Sequence, residues 1–549
     1  MSTVSLGIDC STQSMTGVAV DAESGSVVWK KSLSYQSDSR LGGFGLEHDT
    51  FVVPPRVEGE ADQPPKLFLA ALDALLSDMK EEGIVRPDSV AAINVSGQQH
   101  GHVYLKSGAQ KSFSTLREKG IGAEAGDLVH RLADIFSYKA APIWKTSDTA
   151  AQSEAIRTGV GGKQRMIELS GSDSPLRFSG AVMRRVAQRY PDVWEKTETV
   201  LLISSFIPAV LVGNSRVGTD FGNGCGTSLL DYQRRSWSPE LIDAASASLP
   251  GGSEAFRAKL TDVVAPDAVV GSVAAYFVER YGLSPDCIVA AGSGDNPQTK
   301  VLVDGDLLSL GTSFVFMVAA STSGDGRVAM DQAGYANAMY DGLGRPFLFG
   351  CRTNGALVWD RVRMMHGLKK DEYAPADDLL PSIPVGKYLL IWQPDAESFP
   401  AGGAIVDPVR NTGQAASLEA DYAGIIDTTL TIIEHYSRSF SRDTDEPLYV
   451  TGGPAGAAGV VSRIAAVWNR PVVTIGRLGA GLGAAVAGVS ALSSLRRGLP
   501  SADELAAAVL PRGEVVRPEA EMVRALHGES GFARRVIGRY ESVLQGFSA

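Results

Sequence analysis

Apolar and polar positions alternate from the start of the chain. In VSLGIDCSTQSMTGVAV (residues 4–20), Val4, Leu6 and Ile8 recur with period two, a short polar run follows around Asp9, and alternation resumes from Met15 to Val20. This pattern predicts two strands joined at a polar tip, with DAESG as the next turn and SVVWKKSLSY as a third strand. The period then changes: PPKLFLAALDALLSDMKEEG reads as an amphipathic helix opened by proline and closed by Gly83. VAAINVSGQQHGHVYL reads as a buried strand that breaks at Gly-Gln-Gln-His and resumes, and CIVAAGSGDNP as an apolar strand that delivers Asp295 at its end. Past residue 299, GDLLSLGTSFVFMVA is again strand, turn, strand, and SLGTS (309–313) echoes SLGID (5–9). LYVTGGPAGAAGVVSRIAAVWNRPVVTI adds strand, Gly-rich turn, helix and strand. Strands alternating with helices indicate α/β architecture. Two domains are expected, 1–298 and 299–549, packed closely with a cleft between them because no Ser/Gly-rich linker separates them. The last fifty residues, rich in Ala, Glu and Arg, read as helical packing.

Composition narrows the function classes. The 549 residues exceed one ordinary core, and 44% apolar with 21% charged residues is the balance of a soluble globular protein. A net charge of −11 argues against nucleic acid or an anionic membrane as the main partner. Cys10, Cys225, Cys287 and Cys351 are widely spaced, show no CxxC pattern, and read as buried thiols. No basic region followed by an apolar stretch opens the sequence, and the longest apolar run, VLLISSFIPAVLV, is cut by Ser204, Ser205 and Pro208. A cytoplasmic protein is the expectation.

Three nucleotide-binding schemes compete for the Gly-rich turns. A P-loop needs GxxxxGK[ST], which the chain lacks. GAGLGA (479–484) fits a Rossmann fingerprint after the strand PVVTI, but too few residues follow for a dinucleotide domain; the plainer reading is that Gly481 and Gly483 let a helix pack tightly or approach a ligand. The third scheme uses hairpin turns whose backbone N–H groups cradle phosphate oxygens. An acid beside such a turn repels phosphate unless a divalent cation lies between them, so Asp9 becomes a candidate for holding Mg²⁺ through water. Asp295 has two readings from the residues alone, a helix N-cap or a catalytic carboxylate. His100 and His102 invite a metal reading, but no third ligand is near; a neutral His100 suits a hydrogen bond to a sugar, with His102 packing.

GIDCSTQS, NVSGQQHG, GSGDNP, LSLGTS and VTGGPAG occur in the order found in the FGGY family of carbohydrate kinases, which the chain resembles from about residue 4 to about residue 490. RFSGAVMRRVAQRYPDVWEKTETVLLISSFIPAVLVG and GCGTSLLDYQRRSW most resemble the eukaryotic-type xylulose kinases of that family. The resemblance implies a two-domain actin/hexokinase/Hsp70-like ATPase fold of duplicated ribonuclease H-like domains. It also implies an ATP- and Mg²⁺-dependent kinase that phosphorylates D-xylulose to D-xylulose 5-phosphate, as a monomer or homodimer. By the same resemblance Asp295 is the general base. Gln99, His100, Arg177 and Asn296, with Asp295, hold the sugar. Asp9, Ser11, Thr12 and Gln13 form the first phosphate loop; Gly311, Thr312 and Ser313 form the second; Gly452 and Gly453 lie beneath the adenosine.

One segment departs from the family pattern. PIWKTSDTAAQ has Thr146 and Asp148 where the family usually has Asp and Ser, and Lys145 where it has a neutral residue. That places a contact near the sugar, and the identity of the sugar, in question. GGPAGAAG also lacks polar residues after its glycines, so purine contacts are expected to be mainly backbone and van der Waals. The competing readings are an FGGY kinase for ribulose, a polyol or a related sugar, a non-catalytic actin-like nucleotide sensor, and a Rossmann oxidoreductase.

Overall fold

The computed structural model describes residues 3–120, 126–476, 479–529 and 531–546. The chain divides into two compact units, one of Met1–Leu302, Ala338–Pro346 and Gly479–Val509, the other of Val303–Asn337, Phe347–Leu478 and Leu510–Ala549. Residues 479–509, late in the sequence, are thus part of the first unit.

In the first unit, β1 (Val4–Cys10), β2 (Ser14–Asp21) and β3 (Val27–Ser34) form an antiparallel meander, as the alternation predicts. The helix α1 (Pro65–Glu82) has proline at its first position and ends on Gly83 in the left-handed conformation (φ 61°). β4 (Val90–Gly97) pairs parallel with β1. Outside it lie β5 (Val269–Ser272) and β6 (Ile288–Ala290), and β7 (Ser293–Gly294) pairs parallel with the last residues of β4. The order is β5-β6-β4-β1-β2-β3. β1 is buried along nearly its whole length, so both faces of the sheet are covered. On one face Leu67, Phe68, Leu69, Leu72 and Leu75 of α1 share a core with Leu6, Ile8 and Ile93 of the sheet.

A second pair of helices serves the other face. The short α2 (Asp295–Lys300) follows β7, and α3 (Ala480–Ser493) packs against both α2 and β1. Small residues set how close α3 lies. A Cβ on Gly7 would stand 1.9 Å from the Gly481 carbonyl oxygen, and one on Gly483 would stand 1.8 Å from the Gln298 carbonyl oxygen. Ser5 Oγ donates to the Ala485 carbonyl at 2.7 Å across the same seam. The plainer reading of GAGLGA therefore holds: its glycines serve helix packing against β1 and α2, not a Rossmann turn.

Two details differ from the expected pattern. GQQHGHVYL does not resume the same sheet: His100 adopts φ 67°, and His102–Lys106 turns away to pair antiparallel with Thr197–Leu202. VLLISSFIPAVLV divides into that strand and a buried helix, Ile203–Val212, with Pro208 inside it. Among the described residues no helix is long and apolar enough to cross a membrane.

The second unit repeats the scheme. β8 (Leu307–Leu310) and β9 (Phe314–Ala319) form an antiparallel hairpin, and Pro346–Arg352 pairs antiparallel with β9. Leu448–Gly452 runs parallel to β8, Val472–Ile475 parallel to that strand, and Arg512–Val516 closes the edge antiparallel. Each sheet thus carries a three-strand meander whose first strand is followed by two parallel neighbours and one antiparallel edge. The C-terminal region contains that edge strand as well as the helices Ala520–His527 and Phe532–Gly546, because residues 512–516 complete the sheet. Cys10, Cys225 and Cys287 are buried thiols, and Cys351 is half-buried.

The close seam makes a prediction. Gly7→Ala should lower the unfolding free energy by about 1–3 kcal/mol or more, because backbone must shift to admit the methyl. Gly43→Ala, with nothing within 4 Å, should change it little. Denaturant titration of both variants checks this; equal stability would contradict the packing described.

Candidate active site

β1, β4 and β7 are parallel, so their carboxyl ends lie along one edge of the sheet, the usual place for ligands in open α/β sheets. The register there is Asp9 beside Ser96, Ser96 beside Ser293, and Gly97 beside Gly294. Ser96 Oγ donates to Asp9 Oδ1 at 2.7 Å. Burial pushes the Asp9 carboxyl up to about 7, the Ser96 hydrogen bond opposes this, and the charge of Asp295 adds to it. Two carboxylates therefore share this edge, each half-buried, and the charge of one bears on the other.

Asp295 is the first residue of α2, whose N-cap is Gly294. Its side chain does not cap the helix. Oδ1 instead accepts the Asn296 backbone N–H at 2.8 Å and Asn296 Nδ2 at 3.1 Å. Burial pushes its carboxyl up to about 6, with the backbone N–H groups of Asn296 and Gln99 opposing. Asn296 Nδ2 also donates to Gln99 Oε1 at 2.8 Å, and Gln99 Nε2 contacts Met339 Sδ at 3.2 Å.

His100 is held in a narrow slot. Its ring stacks on Phe178 at 4.5 Å, and Nδ1 faces the Gly226 carbonyl oxygen at 2.8 Å. A carbonyl can only accept, so Nδ1 carries the proton and Nε2 is left as an acceptor. Burial pulls the imidazole down to about 3, and the nearby Arg177 charge contributes. The ring is neutral at physiological pH. Arg177 itself is half-buried and, among the described residues, has no hydrogen-bond or ion-pair partner. His102 is fully buried, with Nδ1 on the His100 carbonyl and Nε2 on the Tyr104 hydroxyl, so it packs as expected.

The tip between β1 and β2 is a tight turn in which Ser11 N and Oγ both donate to the Ser14 carbonyl, at 3.0 and 2.9 Å. The Thr12 hydroxyl donates to Gln98 Oε1 at 3.1 Å and accepts from Trp144 Nε1 at 2.9 Å. Gln63 Nε2 reaches the Thr12 carbonyl at 2.8 Å, and Gln98 Nε2 reaches Gln63 Oε1 at 2.7 Å. Thr12 thus braces the turn with its side chain, while the Gln13 side chain is exposed. Ser96, Gln98, Gln63 and Trp144 are additions to the expected site residues. Gln98 sits in GQQHG and Trp144 in the divergent PIWKTSD, whereas Gln63 has no signal in the pattern.

Asp148 of the divergent segment lies in a buried ionic cluster. Arg185 Nη1 contacts its Oδ1 at 3.0 Å and Arg189 Nη1 contacts its Oδ2 at 2.6 Å. Glu60 Oε1 shares both arginines, at 3.3 and 2.8 Å. Both oxygens of Asp148 are therefore occupied by guanidinium groups. Thr146 is buried with its hydroxyl toward the Ala61 carbonyl, and Lys145 Nζ donates to the Thr50 carbonyl at 2.8 Å.

In the second unit, the remaining expected residues meet at the ends of two parallel strands. Leu310 of β8 is paired with Gly452, so the Gly311–Thr312–Ser313 turn and the Gly452–Gly453 turn are neighbours. Gly452 needs its φ of 106°, and a Cβ there would stand 2.2 Å from the Leu310 carbonyl oxygen. The Gly311 carbonyl accepts the Ala356 N–H at 3.1 Å, and the Thr312 side chain is exposed. Among the described residues no group of three or more His, Cys, Asp or Glu could hold a metal ion, so Asp9 is a single-carboxylate candidate.

Residues 137–301 match the N-terminal domain of the FGGY family of carbohydrate kinases. A mouse protein named xylulose kinase is 32% identical over 365 residues, covering 65% of this chain and 61% of the mouse protein. D-xylulose kinase A of Aspergillus niger is 30% identical over 319 residues, covering 57% of this chain and 53% of its own. The chain therefore spans less than two thirds of the length of the curated relatives it matches. The crystal structure of xylulose kinase from Rhodospirillum rubrum shares the fold, with a TM-score of 0.78 at 16% identity over 100% of both chains.

The ionic cluster yields a prediction about stability. Asp148→Ala should cost on the order of 3 kcal/mol, because Arg185 would keep only the longer Glu60 contact inside the protein. Denaturant unfolding measures the loss; an unchanged midpoint would show that the cluster is not balanced by Asp148.

Proposed function

We propose that the protein is an ATP-dependent sugar kinase that phosphorylates D-xylulose to D-xylulose 5-phosphate. The observation that carries this reading is the half-buried Asp295 carboxylate, raised to about 6 and set beside Asn296, Gln99 and a neutral His100. The choice of sugar rests on the names of the mouse and fungal relatives.

In this reading Asp295 accepts the proton of the sugar hydroxyl as that oxygen attacks the γ-phosphate of ATP. Phosphoryl transfer is largely loose, so the carboxylate mainly orients the oxygen and takes the proton late. A base of this kind contributes about 10²–10⁴-fold. His100 Nε2 accepts a hydrogen bond from a sugar hydroxyl, Arg177 donates to sugar oxygens, and the amides of Gln99 and Asn296 complete the set. In the Ser11–Gln13 turn, where the Ser11 N–H already serves the Ser14 carbonyl, Thr12 and Gln13 offer backbone N–H groups to phosphate oxygens, as does the Gly311–Ser313 turn. Gly452 and Gly453 leave room for the adenosine. Asp9 fits a Mg²⁺ that is bound mostly by phosphates and water, since one carboxylate suffices for such a site. When bound, that ion would neutralise phosphate charge.

Asp295→Asn should reduce sugar-dependent ADP release by at least about 10²-fold while ATP still binds. ADP release measured across pentuloses, hexuloses and glycerol should be largest with D-xylulose. Asp295 must be ionised to accept a proton, so kcat should fall as pH drops through about 6. Near-normal turnover of Asp295→Asn, or no response to any sugar in the panel, would remove this reading.

A further inference from the structure

A second buried acid stands behind the first. Asp220 is fully buried, and among the described residues no cationic side chain is within ion-pair distance of it. It ends the short strand Thr219–Asp220, which pairs parallel with Val263–Val264, and it caps the turn Phe221–Gly224. Its Oδ2 accepts the Asn223 N–H at 2.9 Å and the Ser293 hydroxyl at 2.6 Å. Asp220 Oδ1 and Asn223 Oδ1 are buried and have no hydrogen-bond partner.

Ser293 links this acid to the candidate site. It belongs to β7, two residues before Asp295, and it is paired in register with Ser96, whose hydroxyl holds Asp9. β7 has only two residues, so its ladder to β4 provides little restraint by itself. The space around it is full: a Cβ on Gly222 would lie 2.6 Å from the Tyr340 carbonyl oxygen, 2.8 Å from Asp220 Oδ2 and 3.0 Å from Ser293 Oγ. Asn223 Nδ2 is tied in turn to Ser204 Oγ at 2.8 Å. An unpaired carboxylate is costly inside a protein, and a threonine or asparagine could cap the same turn without that cost. What the side chain adds is one oxygen that accepts from the cap N–H and from the Ser293 hydroxyl together.

We propose that Asp220 is a positioning residue: through Ser293 it fixes β7 and so sets where the carboxylate of Asp295 stands. It does not touch substrate. The structural part of the claim concerns only this chain's packing, and its catalytic consequence rests on the reading of Asp295 as general base. A shift of about 1 Å in such a group can cost on the order of 100-fold in rate.

Two measurements on the full-length protein test the tie. Hydrogen–deuterium exchange on Ser293→Ala should show faster amide exchange across residues 291–300, with β1 and α1 unchanged. Steady-state kinetics with D-xylulose and ATP should show kcat lower by about 10- to 100-fold with KM for the sugar within about threefold. Asp220→Ala should match Ser293→Ala, the double variant should be no worse than either single one, and Asp220→Asn, which keeps an accepting oxygen, should recover most of the loss. If Asp220→Ala does not fold, Ser293→Ala alone carries the test. Unchanged exchange at 291–300 in Ser293→Ala would overturn the proposal, as would wild-type kcat or additive single-variant losses. If the wild-type protein phosphorylates no sugar, the kinase reading falls, and the exchange result still decides whether Asp220 holds β7.

Discussion

The parallel register of β1, β4 and β7 is the constraint from which the site follows. It puts Asp9, Ser96 and the approach to Asp295 side by side at one sheet edge. Both acids are withdrawn from solvent enough to be raised, and each remains open on one side. Such a pair is costly in isolation, because burial opposes ionisation of both and the charge of Asp295 opposes that of Asp9 as well. The protein offsets part of that cost locally. Ser96 donates to Asp9, and the Asn296 and Gln99 backbone N–H groups serve Asp295. The rest of the first unit keeps this edge in place: α1 fills one face with large side chains, and α3 lies close on the other because Gly7 and Gly483 carry no side chain.

Much of this was legible in the residues. Period-two alternation located the β1–β2 hairpin, Pro65 and Gly83 bounded α1, and the echo of SLGID in SLGTS pointed to a second hairpin. Those signals are local, and they survive because burial acts on the same residues that carry them. The acid at the end of CIVAAGSGDNP was visible as a strand-end carboxylate, but its choice between cap and free group was not. Gly294 takes the cap position, and that depends on backbone angles no pattern displays. The break at Gly-Gln-Gln-His was visible, but the departure of the chain from the sheet was not, because it depends on the left-handed backbone of His100, which histidine adopts more often than most residues but still uncommonly.

Long-range partners were the least legible. Gln63 reaches Thr12 from a segment distant in sequence, and Asp148 finds Arg185 and Arg189 on a helix further on. The shift of the acid in PIWKTSD raised a question about sugar recognition. The geometry answers part of it, since both oxygens of Asp148 are held by arginines that also hold Glu60. In the second unit the strand order repeats that of the first around a different turn chemistry, with glycines and exposed hydroxyls where the first has acids.

The raised pKa values of the two carboxyls are the most direct measure of the arrangement. Carboxyl ¹³C NMR titration, assigned with Asp9→Asn and Asp295→Asn, reads each group separately. Asp9 should titrate near about 7 and Asp295 near about 6, and the Asp9 midpoint should fall when Asp295 is replaced by asparagine. Two carboxyls that both titrate near the ordinary value of about 3.9, each indifferent to loss of the other, would contradict the account.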